Sequence, residues 1–301
     1  MKTLRKPTVQ QQRGFTLVEA IIVMVLTGIL AGVMVLFIRQ PVQNYVDAAA
    51  RAELSDAADL ALRRMARELR GALPNSIRAM QAGGVWYVQF IPTKAGGQYL
   101  DVTDNPTVSG ATPLSFTSPS ELSFGIVGPL PAGAAAITNQ DFIVIYNLGN
   151  HIAGADAYDG ANIVRVASVV IVNQRPLLTM AGTTNPFAVT GDGVPNASPN
   201  HRFNVVRTPV TFRCEGRADG TGTLARIEDG AFTPNQPTPA VAGSPLLAAN
   251  VQGCDFSVDQ SANLSNALVG MTLSLARQRS GATNGLETVT LVHQIHVDNT
   301  P

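Results

Sequence analysis

The sequence is poor in the residues from which catalytic and metal sites are built. It has two cysteines and four histidines among 301 residues, and only 14% of its residues are charged. It contains no Gly-x-Ser-x-Gly elbow, no His-Glu-x-x-His pair, no P-loop and no dinucleotide-binding fingerprint. His293 and His296 lie three apart on a predicted strand, so their side chains face opposite sides and make a poor chelating pair. We therefore expect a protein without catalytic activity, cofactor or bound metal.

The sequence also lacks an excess of positive charge. It has 21 basic and 21 acidic residues, and four of the basic ones precede Gly14: Lys2, Arg5, Lys6 and Arg13. Without that segment the chain keeps 17 basic residues against 21 acidic ones, a net charge of −4. Binding to nucleic acid is favoured by a basic excess. We do not expect nucleic acid as a partner.

One long apolar run does occur, close to the N-terminus. Glu19 is the only ionisable residue between residues 15 and 38. A helix of this length measures about 36 Å, which is enough to cross a bilayer. Because the basic residues precede it, the positive-inside rule places them in the cytoplasm and the chain beyond residue 38 across the inner membrane. We expect a single-pass inner-membrane protein with a periplasmic C-terminal domain.

The order of these parts differs from that of an ordinary secretory signal. There the apolar region precedes the cleavage site and is lost, whereas here a basic leader at residues 1–14 ends before the apolar run. A cut after Gly14 would leave the apolar helix at the new N-terminus, with the Phe15 amine one turn from Glu19. A lone carboxylate in hydrocarbon costs about 3 kcal/mol and usually has a partner. This amine, or that of a neighbouring subunit, is the candidate partner.

The stretch Gly-Phe-Thr-Leu-Val-Glu at residues 14–19 resembles the class III signal of type IV pilins and type II secretion pseudopilins. The resemblance implies that a prepilin peptidase cuts between Gly14 and Phe15 and that the Phe15 amine is N-methylated. It also implies that Glu19 helps the subunit to dock into a helical filament. A plain signal anchor with a chance match is the alternative.

The first helix is expected to continue beyond the membrane. Residues 15–38 form its membrane half, and residues 39–73 form an amphipathic half that Gly71 and Pro74 end. Apolar residues recur there at steps of three and four: Leu54, Ala58, Ala61, Met65 and Leu69. Acid-before-base pairs four residues apart, Asp47–Arg51 and Asp59–Arg63, suit its exposed face. Pro41 should bend the helix without ending it, although two helices separated at Pro41 are an alternative.

From residue 85 onward, short runs of β-formers alternate with residues typical of turns. We predict strands at residues 85–91, 121–127, 141–147, 162–173, 202–214, 224–228, 249–258, 269–276 and 287–297. Three long connections should link them, at residues 93–120, 179–200 and 229–244. The predicted fold class is α+β and type IV pilin-like, with a long N-terminal helix packed on a large antiparallel β-rich head at residues 74–301.

The two cysteines, Cys214 and Cys254, fit an oxidising compartment such as the periplasm. A disulfide closing a loop of about 40 residues would stabilise the fold by roughly 4 kcal/mol. Two free thiols, or half of a metal site, are the alternatives.

Two smaller patterns also have more than one interpretation. Asp156 and Asp159, between two glycines, suit a polar turn better than a calcium loop. Trp86 and Tyr87 suit packing within a strand better than an exposed stacking patch.

The C-terminal half narrows the resemblance. The surroundings of both cysteines and the ending His-Gln-Ile-His-Val-Asp-Asn at residues 293–299 are similar to the MshO-type minor pilins of the mannose-sensitive haemagglutinin (MSHA) pilus. This implies a non-catalytic subunit that helps to start or cap a pilus and finally reaches the cell surface. Its implied partners are major and minor pilins, the prepilin peptidase and the inner-membrane assembly platform. The alternatives are a type II secretion pseudopilin, a DNA-uptake or adhesin subunit, and a membrane-anchored periplasmic enzyme.

Overall fold

The computed structural model describes residues 14–102, 112–149, 152–189, 197–228, 230–263, 266–279 and 285–301. Of the leader predicted at residues 1–14, only Gly14 lies among them. One helix, α1 (Leu17–Arg70), runs for 54 residues and includes Pro41. The helix therefore continues through the proline, as predicted. It ends at the expected place, where the backbone N–H of Gly71 donates to the carbonyls of Glu68 and Leu69.

A seven-stranded antiparallel sheet packs against the second half of α1. Its strands lie in the order β1-β2-β9-β10-β11-β12-β13. In chain order they are β1 (Arg78–Ala82), β2 (Val85–Phe90), β9 (Val210–Glu215), β10 (Gly222–Glu228), β11 (Leu246–Asn263), β12 (Asn266–Gln278) and β13 (Leu286–Asp298). Every strand therefore pairs with its neighbours in chain order, except where the chain leaves after β2 and returns at β9.

The chain between β2 and β9 forms a closed antiparallel barrel. Its strands lie in the order β3-β4-β7-β6-β5-β8. They are β3 (Thr93–Tyr99), β4 (Ser123–Val127), β5 (Phe142–Val144), β6 (Ile163–Val172), β7 (Arg175–Met180) and β8 (Arg202–Val206). The barrel is thus an insertion into one link of the sheet, and it contains the stretch of sequence that carries no recognisable motif.

Each unit has its own apolar core. The predicted face of α1 is buried against the sheet: Leu54, Ala58, Ala61, Met65 and Leu69 are each at most 4% exposed. A second cluster fills the barrel, with Phe124 and Phe203 in edge-to-face contact. A third cluster joins the two units, and it includes Leu73, Ile91, Val144, Ala157, Tyr158 and Val206. The head is therefore one sheet and one barrel held together by a continuous apolar junction.

The long connection between β10 and β11 reinforces this junction. Phe232 packs edge-to-face on Phe142 of the barrel at a centroid distance of 4.9 Å. The Arg78 guanidinium donates to the carbonyls of Thr233 and Pro234 and lies 3.6 Å from the centre of the Tyr158 ring. This connection was predicted as a loop, and its described residues form one that touches both units.

Several predicted strands were wrong in extent. The single strand predicted at residues 202–214 is two strands in different units, β8 and β9. Strands β1, β3 and β7 were not predicted, and β3 occupies the start of what was expected to be a loop at residues 93–120. β1 contains no β-branched residue, and β3 contains two glycines. Such strands form because a neighbouring strand pairs with them, which local propensity does not report.

Candidate functional site

The N-terminal end of α1 carries the residues of the predicted processing signal. Thr16 is the N-cap, and its Oγ1 accepts a hydrogen bond from the backbone N–H of Glu19 at 3.3 Å. Thr16 and Glu19 have the Thr-x-x-Glu spacing of a capping box. This signal was present in the sequence and was not used in the prediction. The helix therefore has a defined start, with its N-cap one position after Phe15.

Phe15, just before the helix, and Glu19, in its first turn, are both open to the surroundings. The Phe15 residue is 83% exposed, and Glu19 is exposed in the first turn of the helix. A carboxylate in the first turn also interacts favourably with the positive end of the helix dipole. This arrangement leaves the Glu19 carboxylate accessible to a positive group on the same chain or on a neighbouring one.

The apolar segment behind these residues is not covered by the described part of the head. The span Leu17–Val35 has a mean hydropathy of 2.5 and is 0% buried within the structure. In contrast, the apolar face beyond Leu54 is covered by the sheet. The two halves of one helix therefore have different surroundings, and the first half can enter a bilayer or a bundle of similar helices.

A group of charged residues lies where α1 leaves the sheet. Glu287 of β13, whose side chain is 6% exposed, accepts a hydrogen bond from Arg51 Nε at 2.6 Å and one from Arg279 Nη2 at 2.7 Å. Hydrogen bonds from Arg279 and Arg51 hold the pKa of the Glu287 carboxyl below its usual value. Arg279 Nε also lies 3.6 Å from Asp47 Oδ2. These contacts fix the direction in which the apolar segment extends from the head.

This group replaces one of the two predicted pairs along the helix. Asp47 and Arg51 were expected to pair with each other, but Asp47 meets Arg279 and Arg51 meets Glu287. The partners that are more distant in sequence form these contacts because they lie on the sheet edge against which the helix packs. The second predicted pair is confirmed, with Arg63 Nε 2.7 Å from Asp59 Oδ2.

The two cysteines lie in the sheet, in the half of the molecule remote in sequence from the processing signal. Cys214 at the end of β9 and Cys254 in β11 form a disulfide. Cys214 is fully buried in the core of the sheet, whereas Cys254 is half-buried. Because β10 lies between these strands, the bridge connects two strands that do not pair with each other. Its position indicates a structural role in the head.

The other residues considered from the sequence have ordinary structural surroundings. His293 faces the core side of β13 and His296 the solvent side, as the alternation predicts. Asp156 is buried and caps a short 3-10 turn by accepting from the Tyr158 N–H. Trp86 packs edge-to-face on Phe256 at 6.0 Å, and Tyr87 is buried. Across the residues that the structure describes, no three His, Cys, Asp or Glu side chains are grouped as metal ligands would be.

Comparison with known proteins gives one match, at the N-terminus. Residues 10–35 match the family described as the prokaryotic N-terminal methylation motif. No curated protein and no solved structure matches the chain. The α+β layout, with an apolar N-terminal helix and a large antiparallel β-rich domain, is consistent with a type IV pilin-like fold. The chain thus carries a type IV prepilin-like motif, which implies processing by a prepilin peptidase, anchoring in a membrane and assembly with pilins.

Proposed function

We propose that the protein is a minor pilin that helps to initiate or cap a type IV pilus of the MSHA type. It is stored in the inner membrane with its head in the periplasm and joins other pilins after the leader is removed. Its work is binding, without catalytic turnover. The observation that carries the proposal is the exposed apolar first half of α1, which lies within a prepilin-like motif and projects from a folded head.

Transfer from lipid to filament depends on the apolar segment. In a bilayer its side chains contact acyl chains, and in a filament they contact the equivalent segments of neighbouring subunits. Both surroundings are apolar, so the exchange costs little desolvation. Glu19 adds specificity, because its carboxylate is most stable in the apolar surroundings where the Phe15 amine of a neighbouring subunit neutralises its charge.

A role at the start or tip of the filament follows from the size of the head. The sheet covers the second half of α1, and the inserted barrel adds six further strands beside the sheet. Helices that pack at their usual spacing of about 8–10 Å leave little room for so wide a head in every position. A subunit present in few copies, with its barrel above or beside the filament, avoids this crowding. The surroundings of both cysteines and the ending at residues 293–299, which resemble those of MshO-type minor pilins, support the MSHA system over type II secretion.

The proposal is tested by replacing Glu19 with valine in cells that produce the filament. Glu19→Val removes the carboxylate from the apolar segment, so the protein should stay in the membrane fraction but be lost from sheared filaments and from complexes with sibling pilins. Glu53→Gln is the matched control, because it removes a carboxylate from the same helix outside the apolar segment. The proposal fails if Glu19→Val co-purifies with other pilins as well as the unaltered protein does. Recovery with secretion pseudopilins instead of pilus subunits would assign the protein to the other system.

A further inference from the structure

We propose that the outer part of β6, residues 168–172, is a docking site for an extended strand of a partner polypeptide. The partner segment is apolar in its centre and carries carboxylates at its ends. This site lies in the inserted barrel and does not depend on the role proposed for the N-terminal helix. Three features of β6 support this site: its pairing, the side chains that it exposes, and the charges at its two ends.

The hairpin formed by β6 and β7 extends beyond the barrel wall. β5 pairs with β6 only as far as Arg165, and the N–H of Val166 makes the last contact with that side, to the carbonyl of Asp141. β7 continues to pair with β6 as far as Val172. Within the described part of the chain, no strand pairs with the opposite edge of residues 168–172.

The register of the hairpin shows which backbone groups face that free edge. Asn173 and Gln174 both have positive φ, as in a two-residue type I′ turn. The flanking residues Val172 and Arg175 then exchange hydrogen bonds, and the pairs alternate from there. Ile171 lies opposite Pro176, which has no N–H to donate. It follows that Val169 and Ile171 direct their N–H and C=O groups away from β7, toward the free edge.

The two edges of the hairpin are protected unequally. On the β7 side, Pro176 is buried and Leu178 is already paired with Phe124 of β4. A proline is one of the ordinary means of preventing a further strand from adding to an edge. On the β6 side, residues 166–174 contain neither proline nor a charged residue. An uncharged edge of this kind is a template for strand addition.

The side chains on this edge are apolar and exposed. Val170 is 47% exposed and Ile171 is 60% exposed, while Val169 packs partly against the barrel core. A strand laid along the edge would cover these side chains and pair with the backbone groups between them. The occupant is therefore a β-strand with apolar side chains.

The charges at the ends of the edge select among such strands. Arg165 lies at its base and Arg175 next to its turn, and both are exposed. Arg175 has no ion-pair partner among the residues that the structure describes. A second copy of this chain pairing through the same residues would bring four arginines together and no carboxylate. A partner strand with acidic ends would instead pair a carboxylate with Arg175 and add one beside Arg165, whose Nε already donates to the carbonyl of Asn139 at 2.9 Å. This favours a different polypeptide over self-association.

Binding of two synthetic peptides to the full chain in detergent micelles tests the site. The probes have the sequences Glu-Val-Thr-Val-Thr-Val-Glu and Lys-Val-Thr-Val-Thr-Val-Lys, with blocked ends. The acidic probe should bind at least tenfold more tightly than the basic one. It should also slow hydrogen exchange at the amides of Val169 and Ile171 while leaving that of Val170 unchanged, because only the first two face the edge.

Three variants complete the experiment. Ile171→Pro removes one outward N–H and keeps the pairing with β7, and it should weaken binding of the acidic probe at least tenfold. Arg175→Glu should reverse the preference between the probes. Arg202→Glu, which reverses an exposed arginine on β8, should leave it unchanged. If Ile171→Pro does not fold, the exchange pattern of the unaltered protein decides the matter.

The proposal is overturned by any of three results. These are no binding of the acidic probe to the unaltered protein, a slowing of exchange at Val170 equal to that at Val169 when the probe binds, or a concentration-dependent dimer that Ile171→Pro abolishes. The last result would identify a second copy of the chain as the occupant of the edge.

Discussion

Arg51 of the helix donates a hydrogen bond to Glu287 of the last strand, with Nε 2.6 Å from Oε1, although 236 residues separate them in the chain. Arg279 donates to the other oxygen of the same carboxylate. Glu287 therefore joins α1 to the β12–β13 hairpin at the place where the apolar segment leaves the head. The direction of that segment relative to the head depends on this carboxylate.

The first prediction concerns the pH dependence of this contact. The hydrogen bonds from Arg279 and Arg51 lower the pKa of Glu287 in the folded protein, so ionised Glu287 stabilises the fold above its unfolded pKa of about 4.3. This contribution is lost as the pH falls through the lower folded pKa. Glu287→Gln should reduce the midpoint of thermal unfolding at pH 7 and reduce it less at pH 3.

Calorimetry of both proteins across this pH range makes the comparison. Arg277→Gln is a suitable control, because its pair with Glu53 is exposed on both sides. A Glu287→Gln effect that is equal at pH 7 and pH 3 would contradict the assignment.

The second prediction concerns packing of the helix on the sheet. Leu62 is 2% exposed and Leu60, two residues earlier on the same helix, is 70% exposed. Leu62→Ala leaves a cavity in the core and should lower the free energy of unfolding by about 3 kcal/mol. Leu60→Ala should change it by no more than about 0.5 kcal/mol. Denaturant unfolding of the two variants provides the measurement, and similar losses would mean that the helix does not pack through this face.

The third prediction concerns the disulfide. The bridge between Cys214 and Cys254 closes a loop with a sequence separation of 40 residues, which restricts the unfolded chain and stabilises the fold by about 4 kcal/mol. The double variant Cys214→Ala, Cys254→Ala should have a free energy of unfolding lower by about 4 kcal/mol. It should therefore unfold at a lower denaturant concentration. Adding a reductant to the unaltered protein should bring its unfolding curve close to that of the variant. If reductant has no effect on unfolding, the bridge is not formed in the native protein.

The fourth prediction separates processing from folding. A Cβ atom added at Gly14 would meet no other atom within 4 Å, and the residue lies outside the folded head, so Gly14→Leu should not disturb the fold of the head. It should nevertheless block cleavage, because the prepilin peptidase is expected to recognise a glycine here and to cut directly after it. The mass of the purified variant should be that of the uncleaved chain. Gly28→Ala, at an equally open position in the apolar segment, should be cleaved normally.

The sequence was informative where one periodicity extends over many residues. The apolar face of α1 and the alternation in β13 were both predicted, since each extends over several turns or residue pairs and each is buried on one side. The capping residue Thr16 was also available from its spacing to Glu19. Local patterns of this kind are sufficient to predict single elements.

Contacts between distant parts of the chain could not be predicted in this way. The local sequence around Arg51 does not indicate that Arg51 pairs with Glu287 and not with Asp47. Similarly, no local signal assigns residues 202–206 to the barrel and residues 210–215 to the sheet, although both are rich in β-formers. The short break at Arg207, Thr208 and Pro209 separates two units, and that separation is visible only when the pairing of both strands is known.

The most direct test of the account is the N-terminus of the native protein. Intact-mass measurement and N-terminal sequencing of the chain, purified from the membranes of the organism that produces it, should show a first residue of Phe15 bearing one methyl group on its amine. This result is expected because the prepilin-like motif at residues 10–35 predicts cleavage between Gly14 and Phe15, directly before the apolar run. A native chain that begins at Met1, with an unmodified Phe15 inside it, would contradict the account.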